Sequence, residues 1–136
     1  MKSIVVPAVQ SELEKVRDFI NEELDKFDCS PKARFQMEVA VEEIFVNIAS
    51  YAYSPEIGDA AVACEVSEDR LTASVTFSDG GKPFDPLAKE DADTSESALL
   101  GREGCLGILM TKKMMDEVSY SYENGKNILT IKKNMK

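Results

Sequence analysis

The sequence predicts an α+β two-layer sandwich, in which a mixed, mostly antiparallel sheet is covered by helices on one face. Apolar residues recur at helical spacing early in the chain, and they alternate with a period of two in two later pairs of segments. Turn-forming residues separate these segments and give the element order β-α-α-β-β-loop-α-β-β. Because 136 residues suit one hydrophobic core, we expect a single domain over residues 1–136.

The chain is predicted to open with a strand and a helix. Lys2–Pro7 is rich in β-branched residues and ends in proline, which is typical of a short strand. Ser11 and Glu14 have the spacing of a capping box, so we expect the first helix to begin at Ser11. Its apolar stripe consists of Leu13, Val16, Phe19, Ile20, Leu24 and Phe27.

Two antiparallel hairpins are predicted in the second half of the chain. Ala60–Ser67 and Leu71–Ser78 alternate in polarity and flank a short polar turn. Val118–Tyr122 and Lys126–Lys132 do the same around Asn124-Gly125, a pair that favours a tight hairpin turn. These four strands and the opening strand would form the sheet.

Charge and composition exclude several classes of protein. The formal net charge is −9, which disfavours non-specific binding to nucleic acid or anionic lipid. No apolar run approaches the roughly 20 residues that a membrane span needs. The chain has no histidine, so a Ser-His-Asp triad or a His-ligated zinc site is excluded. Three widely spaced cysteines indicate reduced thiols, and we expect an acidic, soluble, cytoplasmic protein.

The second predicted helix, from Ser30 as its cap to about Tyr51 or Tyr53, has two apolar stripes instead of one. One stripe consists of Met37, Val41, Ile44, Ile48 and Ala52, and the other contains Val39 and Val46. Glu43 and Asn47 are one turn apart in the seam between the stripes. They are either ordinary helix-surface polar residues or a general base beside a magnesium ligand.

A glycine-rich segment, Asp79-Gly80-Gly81-Lys82-Pro83, follows the first hairpin. Such a string is often only a turn. A carboxylate at a strand end can also accept a hydrogen bond from an exocyclic amine, and Gly81 leaves room for a flat ring.

A second glycine-rich segment, Gly101–Ile108, leads into a helix predicted over Leu106–Met115. Its glycines are either ordinary helix-start residues or a site where backbone N–H groups face an anion. Arg102 would add a cation to such a site. The stretch from residue 79 to about 104 has no period, and a loop of this length is usually functional or mobile.

Together and in this order, these motifs resemble the GHKL ATPase superfamily, which has the Bergerat nucleotide-binding fold. Glu43 and Asn47 match its Glu-x-x-x-Asn box, Asp79 and Gly81 match its Asp-x-Gly box, and Gly104-Cys105-Leu106-Gly107 matches its second glycine box. Within the superfamily the chain is most similar to the small anti-sigma factor serine/threonine kinases. This closer likeness rests on the Tyr that closes the helix in Asn47-Ile48-Ala49-Ser50-Tyr51-Ala52-Tyr53, on Phe84-Asp85-Pro86 and on Met115-Asp116-Glu117-Val118.

The resemblance implies ATP and Mg²⁺ as ligands. Asn47 would bind the Mg²⁺, Glu43 would be the catalytic base, and residues from about 85 to 103 would form an ATP lid. Asp79 would accept from the adenine amino group, with Gly81 beneath the ring. The implied nucleotide-binding residues are Asn47, Ser50, Asp79, Gly81, Arg102, Gly104, Leu106 and Gly107.

The resemblance also implies partners. The phosphate acceptor would be a serine or threonine of an anti-sigma-factor antagonist, the same domain can sequester a sigma factor, and a homodimer is suggested. A second hypothesis is a non-catalytic module in which the nucleotide shapes a protein-binding surface. The chain departs from the family pattern at Tyr51 (usually His), Cys105 (usually Gly) and Asn127 (commonly a phosphate-contacting Thr).

Overall fold

The computed structural model describes residues 2–53, 58–69, 71–83 and 111–136. It confirms the α+β prediction. The elements are β1 (Lys2–Pro7), α1 (Leu13–Leu24), α2 (Pro31–Tyr51), β2 (Asp59–Val66), β3 (Thr72–Asp79), β4 (Glu117–Glu123) and β5 (Lys126–Asn134). Residues 111–114 are also helical, at the end of the predicted helix Leu106–Met115.

The five described strands form one sheet in the order β1-β2-β3-β5-β4, and each of their pairings is antiparallel. Both predicted hairpins are confirmed, with ends that differ by one or two residues. Asn124 (φ 53°) and Gly125 (φ 77°) both adopt the left-handed conformation that a tight two-residue hairpin turn requires. Because β3 pairs with β5, Asp79 lies directly opposite Asn127.

The core lies between the helices and one face of the sheet. Residues of β3 alternate between buried and half-buried along the whole strand, as expected for a sheet covered on one side. The largest fully buried side chains are Phe45 of α2 and Phe77 of β3. Smaller apolar residues of both layers fill the space around them, among them Val16, Ile20, Leu24, Met37, Val41, Ile44, Val62, Val75 and Ile131.

The predicted capping box at Ser11 is wrong. Gln10–Glu12 form one turn of 3-10 helix, and α1 begins at Leu13 without a hydrogen bond from a capping side chain. The tighter turn takes up the positions where the box would have formed. The apolar stripe itself is confirmed, since Val16, Ile20 and Leu24 are buried.

The predicted start of α2 is confirmed. The Ser30 hydroxyl accepts a hydrogen bond from the Ala33 N–H at 3.1 Å, and Pro31 occupies the first helical position. The helix is embedded on most sides, because Val39 and Val46 are half-buried in addition to the buried stripe, whereas Glu42 is exposed. This explains the two apolar stripes in the sequence.

The end of α2 is joined to the end of β3 by backbone contacts. The Lys82 N–H donates to the Ala52 carbonyl at 2.9 Å. A Cβ atom on Gly81 would lie 2.1 Å from the same carbonyl oxygen, so only glycine fits there. The Tyr53 hydroxyl adds a second connection, because it donates to the Asp59 carbonyl (2.6 Å) and accepts from the Gly80 N–H (2.7 Å).

Cys29 and Cys64 are free thiols. Burial raises the pKa of the Cys64 thiol to about 11, so this side chain is an uncharged part of the core. Cys105 lies outside the described residues. None of the described helices has the length and apolarity that crossing a bilayer demands.

We predict that Ser30→Ala destabilises the protein by about 1 kcal/mol, because the Ala33 N–H loses its capping acceptor. Ser11→Ala is the matched control, since Ser11 is exposed and caps no helix. Its effect should stay within about 0.5 kcal/mol. Urea unfolding of both variants measures the difference, and equal losses would contradict the assignment of the cap.

We also predict that Gly81→Ala costs about 1–3 kcal/mol, because the new methyl group would overlap the Ala52 carbonyl and force the turn away from the helix. Gly80→Ala is the matched control. A Cβ atom at Gly80 would lie 3.5 Å from its nearest neighbour, the Tyr53 hydroxyl oxygen, which is an ordinary van der Waals distance. Thermal unfolding of the two variants compares them. The packing argument fails if both tolerate alanine equally.

Candidate functional site

A cavity of about 200 Å³ lies where α2 meets the ends of β3 and β5. Apolar side chains from both layers form most of its wall, and polar side chains converge at its ends. The lining residues are Ile44, Asn47, Ile48, Ala52, Phe77, Asp79, Lys82, Pro83, Tyr120, Asn127 and Leu129. Two of the predicted site residues, Asn47 and Asp79, therefore share one cavity.

Asp79 is a buried carboxylate at the end of β3, with 6% of its surface exposed. Its Oδ1 atom accepts hydrogen bonds from the Gly81 N–H at 2.9 Å and from the Asn127 Nδ2 atom at 3.0 Å. The described residues donate no hydrogen bond to Oδ2. Within the described part of the chain, hydrogen bonds therefore hold one oxygen of Asp79 and not the other.

Asn127 connects Asp79 to β4. Its Nδ2 atom donates to the Lys82 carbonyl at 2.8 Å as well as to Asp79, and its Oδ1 atom accepts a hydrogen bond from the Tyr120 hydroxyl. Tyr120 and Asn127 are diagonal neighbours on adjacent strands, which brings a long side chain within reach. The family pattern predicts a phosphate contact at Asn127. In this structure the side-chain amide of Asn127 donates to Asp79 and to the Lys82 carbonyl, at the end of the cavity where Asp79 lies.

The predicted site residues of α2 differ in whether they line the cavity. Asn47 is half-buried and lines the cavity. Glu43, one turn earlier, is half-buried but is not among the cavity-lining residues, and neither is Ser50. Gly81 packs against Ala52 rather than opening into the cavity. The roles of Glu43, Ser50 and Gly81 toward a ligand stay predictions.

The remaining predicted residues lie outside the described part of the chain. They comprise the lid over residues 85–103 and the residues Arg102, Gly104, Leu106 and Gly107. Within the described ranges, no three acidic or cysteine side chains cluster in a way that could hold a metal ion.

Sequence reasoning missed the side chains that support the site. Tyr120 and the apolar walls formed by Phe77 and Leu129 were treated only as strand residues, and Tyr53 only as part of the family pattern. The sequence indicated part of this arrangement, because the predicted second hairpin pairs Tyr120 with Leu129. Nothing in the sequence placed that hairpin beside β3.

The geometry suits a flat heteroaromatic ring. Ile44, Ile48, Phe77 and Leu129 provide apolar surface, and Asp79 provides a hydrogen-bond acceptor. The volume of about 200 Å³ is below the roughly 300–1,000 Å³ that encloses a whole ligand of drug size. The cavity lined by the described residues is therefore smaller than a typical site for a whole ligand of that size.

Comparison with known proteins agrees with this geometry. Over 101 residues the chain is 33% identical to the serine-protein kinase RsbW of Staphylococcus epidermidis and 30% identical to that of Listeria monocytogenes. These matches cover 70% and 71% of the chain and 62% and 63% of the relatives. The matched region thus spans about three fifths of these curated relatives.

Solved structures show the same fold at low sequence identity. The RsbU and RsbW domains of Rv1364c from Mycobacterium tuberculosis match with a TM-score of 0.68 at 14% identity, over 99% of this chain and 33% of theirs. The Acinetobacter baumannii histidine kinase AdeS matches with a TM-score of 0.53 at 16% identity, over 99% of this chain and 68% of its own. The sequence model of the histidine kinase-like ATPase domain family matches residues 6–133 of this chain. The chain belongs to the histidine kinase-like ATPase domain family.

Proposed function

We propose that the protein binds ATP with Mg²⁺ and transfers the γ-phosphate to a serine or threonine of an anti-sigma-factor antagonist. It would also sequester a sigma factor and so regulate transcription. The observation that supports this most directly is the cavity shared by Asp79 and Asn47. The relatives named serine-protein kinases support the choice of reaction.

The described residues fit the adenine end of ATP. Asp79 Oδ2 can accept a hydrogen bond from the exocyclic amino group while Oδ1 stays bound to Gly81 and Asn127. Ile48 and Phe77 offer apolar surface to the ring faces. A ligand amino group would therefore add a donor to the oxygen that Gly81 and Asn127 do not contact.

The phosphates would extend from the base toward Asn47. The amide oxygen of Asn47 can bind Mg²⁺ directly, as carboxamide oxygens do. Bound Mg²⁺ would neutralise charge on the phosphates during transfer. Phosphoryl transfer depends mostly on such positioning and neutralisation, which is why an acidic chain can perform it with few cations of its own.

Glu43 is proposed as the base that accepts the proton of the attacking hydroxyl. It stands one helical turn before Asn47, so both side chains lie on the same side of α2. Because Glu43 is half-buried, it keeps access from outside the cavity, from which an acceptor protein would approach. A carboxylate in this position can take up the proton as the oxygen–phosphorus bond forms.

A homodimer through the first strand and helix region is also proposed. β1 is an edge strand of the described sheet, and its Val5 side chain is 64% exposed. An edge strand with an exposed apolar residue favours association with another chain.

A non-catalytic, nucleotide-dependent binding module is the second candidate function. It is favoured by one observation, that Glu43 does not line the cavity. In this case ATP would bind as described above, but no phosphoryl transfer would follow.

We predict that ATP binds to the parent protein with Mg²⁺ and that Asp79→Asn weakens binding at least about tenfold, because an amide replaces the charged acceptor. Asp59→Asn is the matched control. It removes the same charge from an exposed residue that begins the neighbouring strand and lies outside the cavity lining. Isothermal titration measures both affinities. Absence of ATP binding to the parent would overturn both candidate functions.

We further predict that Glu43→Gln abolishes transfer of labelled phosphate from ATP to an antagonist protein while ATP binding persists, because an amide cannot accept the proton. Glu42→Gln is the control, since Glu42 is the exposed neighbour on the same helix. Transfer by Glu43→Gln at the parent rate would refute its role as base. ATP binding without any transfer by the parent would favour the binding module.

A further inference from the structure

We propose that the phosphate-accepting protein docks on the side of α2 that faces away from the sheet, through a row of apolar residues that we call the outer stripe. The outer stripe consists of Phe35, Val39 and Val46. The partner would contribute apolar side chains flanked by lysine or arginine, next to its serine or threonine. This inference rests on the proposed function, since it concerns how the acceptor protein reaches Glu43.

The outer stripe is distinct from the buried face of α2. At about 100° per residue, Phe35, Val39 and Val46 lie within about 40° of one another around the helix axis. The fully buried Met37 and Ile44 lie on the opposite side of the helix. The contact between α2 and the sheet therefore does not account for the outer stripe.

The outer stripe is only partly covered. The Phe35 side chain is 64% exposed, whereas Val39 and Val46 are half-buried. Neither valine is among the partly buried apolar residues that pack against the described core. Single exposed apolar residues are common on protein surfaces, but three in one row that includes an aromatic residue are typical of a contact with another protein.

The position of the outer stripe beside Glu43 indicates which partner covers it. Val39 precedes Glu43 by four residues and Val46 follows it by three, so both valines are neighbours of Glu43 on the helix surface. Phe35 is about 12 Å from Glu43 along the helix axis. A standard interface covers about 800 Å² of each partner, which is a patch roughly 30 Å across. A protein whose hydroxyl group reaches Glu43 would therefore cover the outer stripe.

Charge near the outer stripe favours a partner with basic residues. Glu38 and Glu42 lie on one side of it and Glu43 lies on the other. The exposed Lys32 stands at the Phe35 end, so the acidic part is the part next to Glu43. Complementary charges mainly speed and orient the encounter of two proteins, and the apolar residues would supply most of the affinity.

The test measures phosphate transfer from ATP to the same antagonist protein that serves as acceptor for Glu43→Gln, over a range of antagonist concentrations. Phe35→Ala and Val39→Thr should each raise the KM for the antagonist at least about fivefold. Both kcat and the KM for ATP should stay within about twofold of the parent values, because the substitutions leave the cavity unchanged. Added salt should raise the KM of the parent for the antagonist, because it screens the acidic side chains.

Tyr122→Ala is the matched control. It removes an exposed aromatic side chain from β4, outside α2 and outside the cavity lining, so the KM for the antagonist should not change. Two α2 variants are used so that a folding defect in one leaves the other to decide, with thermal unfolding as the check.

A change confined to the KM for the antagonist separates docking from a general structural effect. An unchanged KM for the antagonist in folded α2 variants would overturn the inference and leave the proposed function intact. An equal rise in the KM for ATP, or an equal effect of the control, would overturn it too. Loss of self-association in light scattering, with an unchanged KM for the antagonist, would assign the outer stripe to a second copy of the chain instead. A parent that transfers no phosphate to the antagonist would overturn the proposed function as well.

Discussion

The close backbone contact between Ala52 and residues 81–82 sets the geometry on which the rest of the site depends. The Ala52 carbonyl accepts from the Lys82 N–H, and Gly81 lies too near the same carbonyl to carry a side chain. This contact fixes how far the end of α2 stands from the end of β3. Asn47 on the helix and Asp79 on the strand therefore line one cavity. Tyr53 reinforces the contact, because its hydroxyl donates to the carbonyl of Asp59 at the start of β2. The same hydroxyl accepts from the N–H of Gly80, which follows the end of β3.

The same region shows how a buried charge can be accommodated for binding. A carboxylate removed from water is unfavourable unless donors surround it. Here Gly81 and Asn127 supply donors to one oxygen, and the described residues supply none to the other.

Much of this arrangement could be predicted because it depends on local sequence. The helix start at Ser30, the hairpin turn at Asn124-Gly125 and the alternation of β3 follow from nearby residues and were confirmed. The capping box at Ser11 failed although its pattern was local, because a 3-10 turn competes for the same few residues. The half-buried position of Glu43 and Asn47 also followed from the two apolar stripes of their helix.

By itself, the sequence determined the elements, their faces and the candidate chemistry of Glu43, Asn47 and Asp79, since periodicity and motif spacing are properties of short segments. Only the tertiary structure decided that Asn127 lies opposite Asp79 and that Tyr120 holds Asn127 in place. Asn127 and Asp79 are 48 positions apart on strands whose pairing the chain does not encode locally, whereas Tyr120 reaches Asn127 across the second hairpin. Which strands become neighbours is settled by the packing of the whole core, and the fine structure of the site follows from that choice.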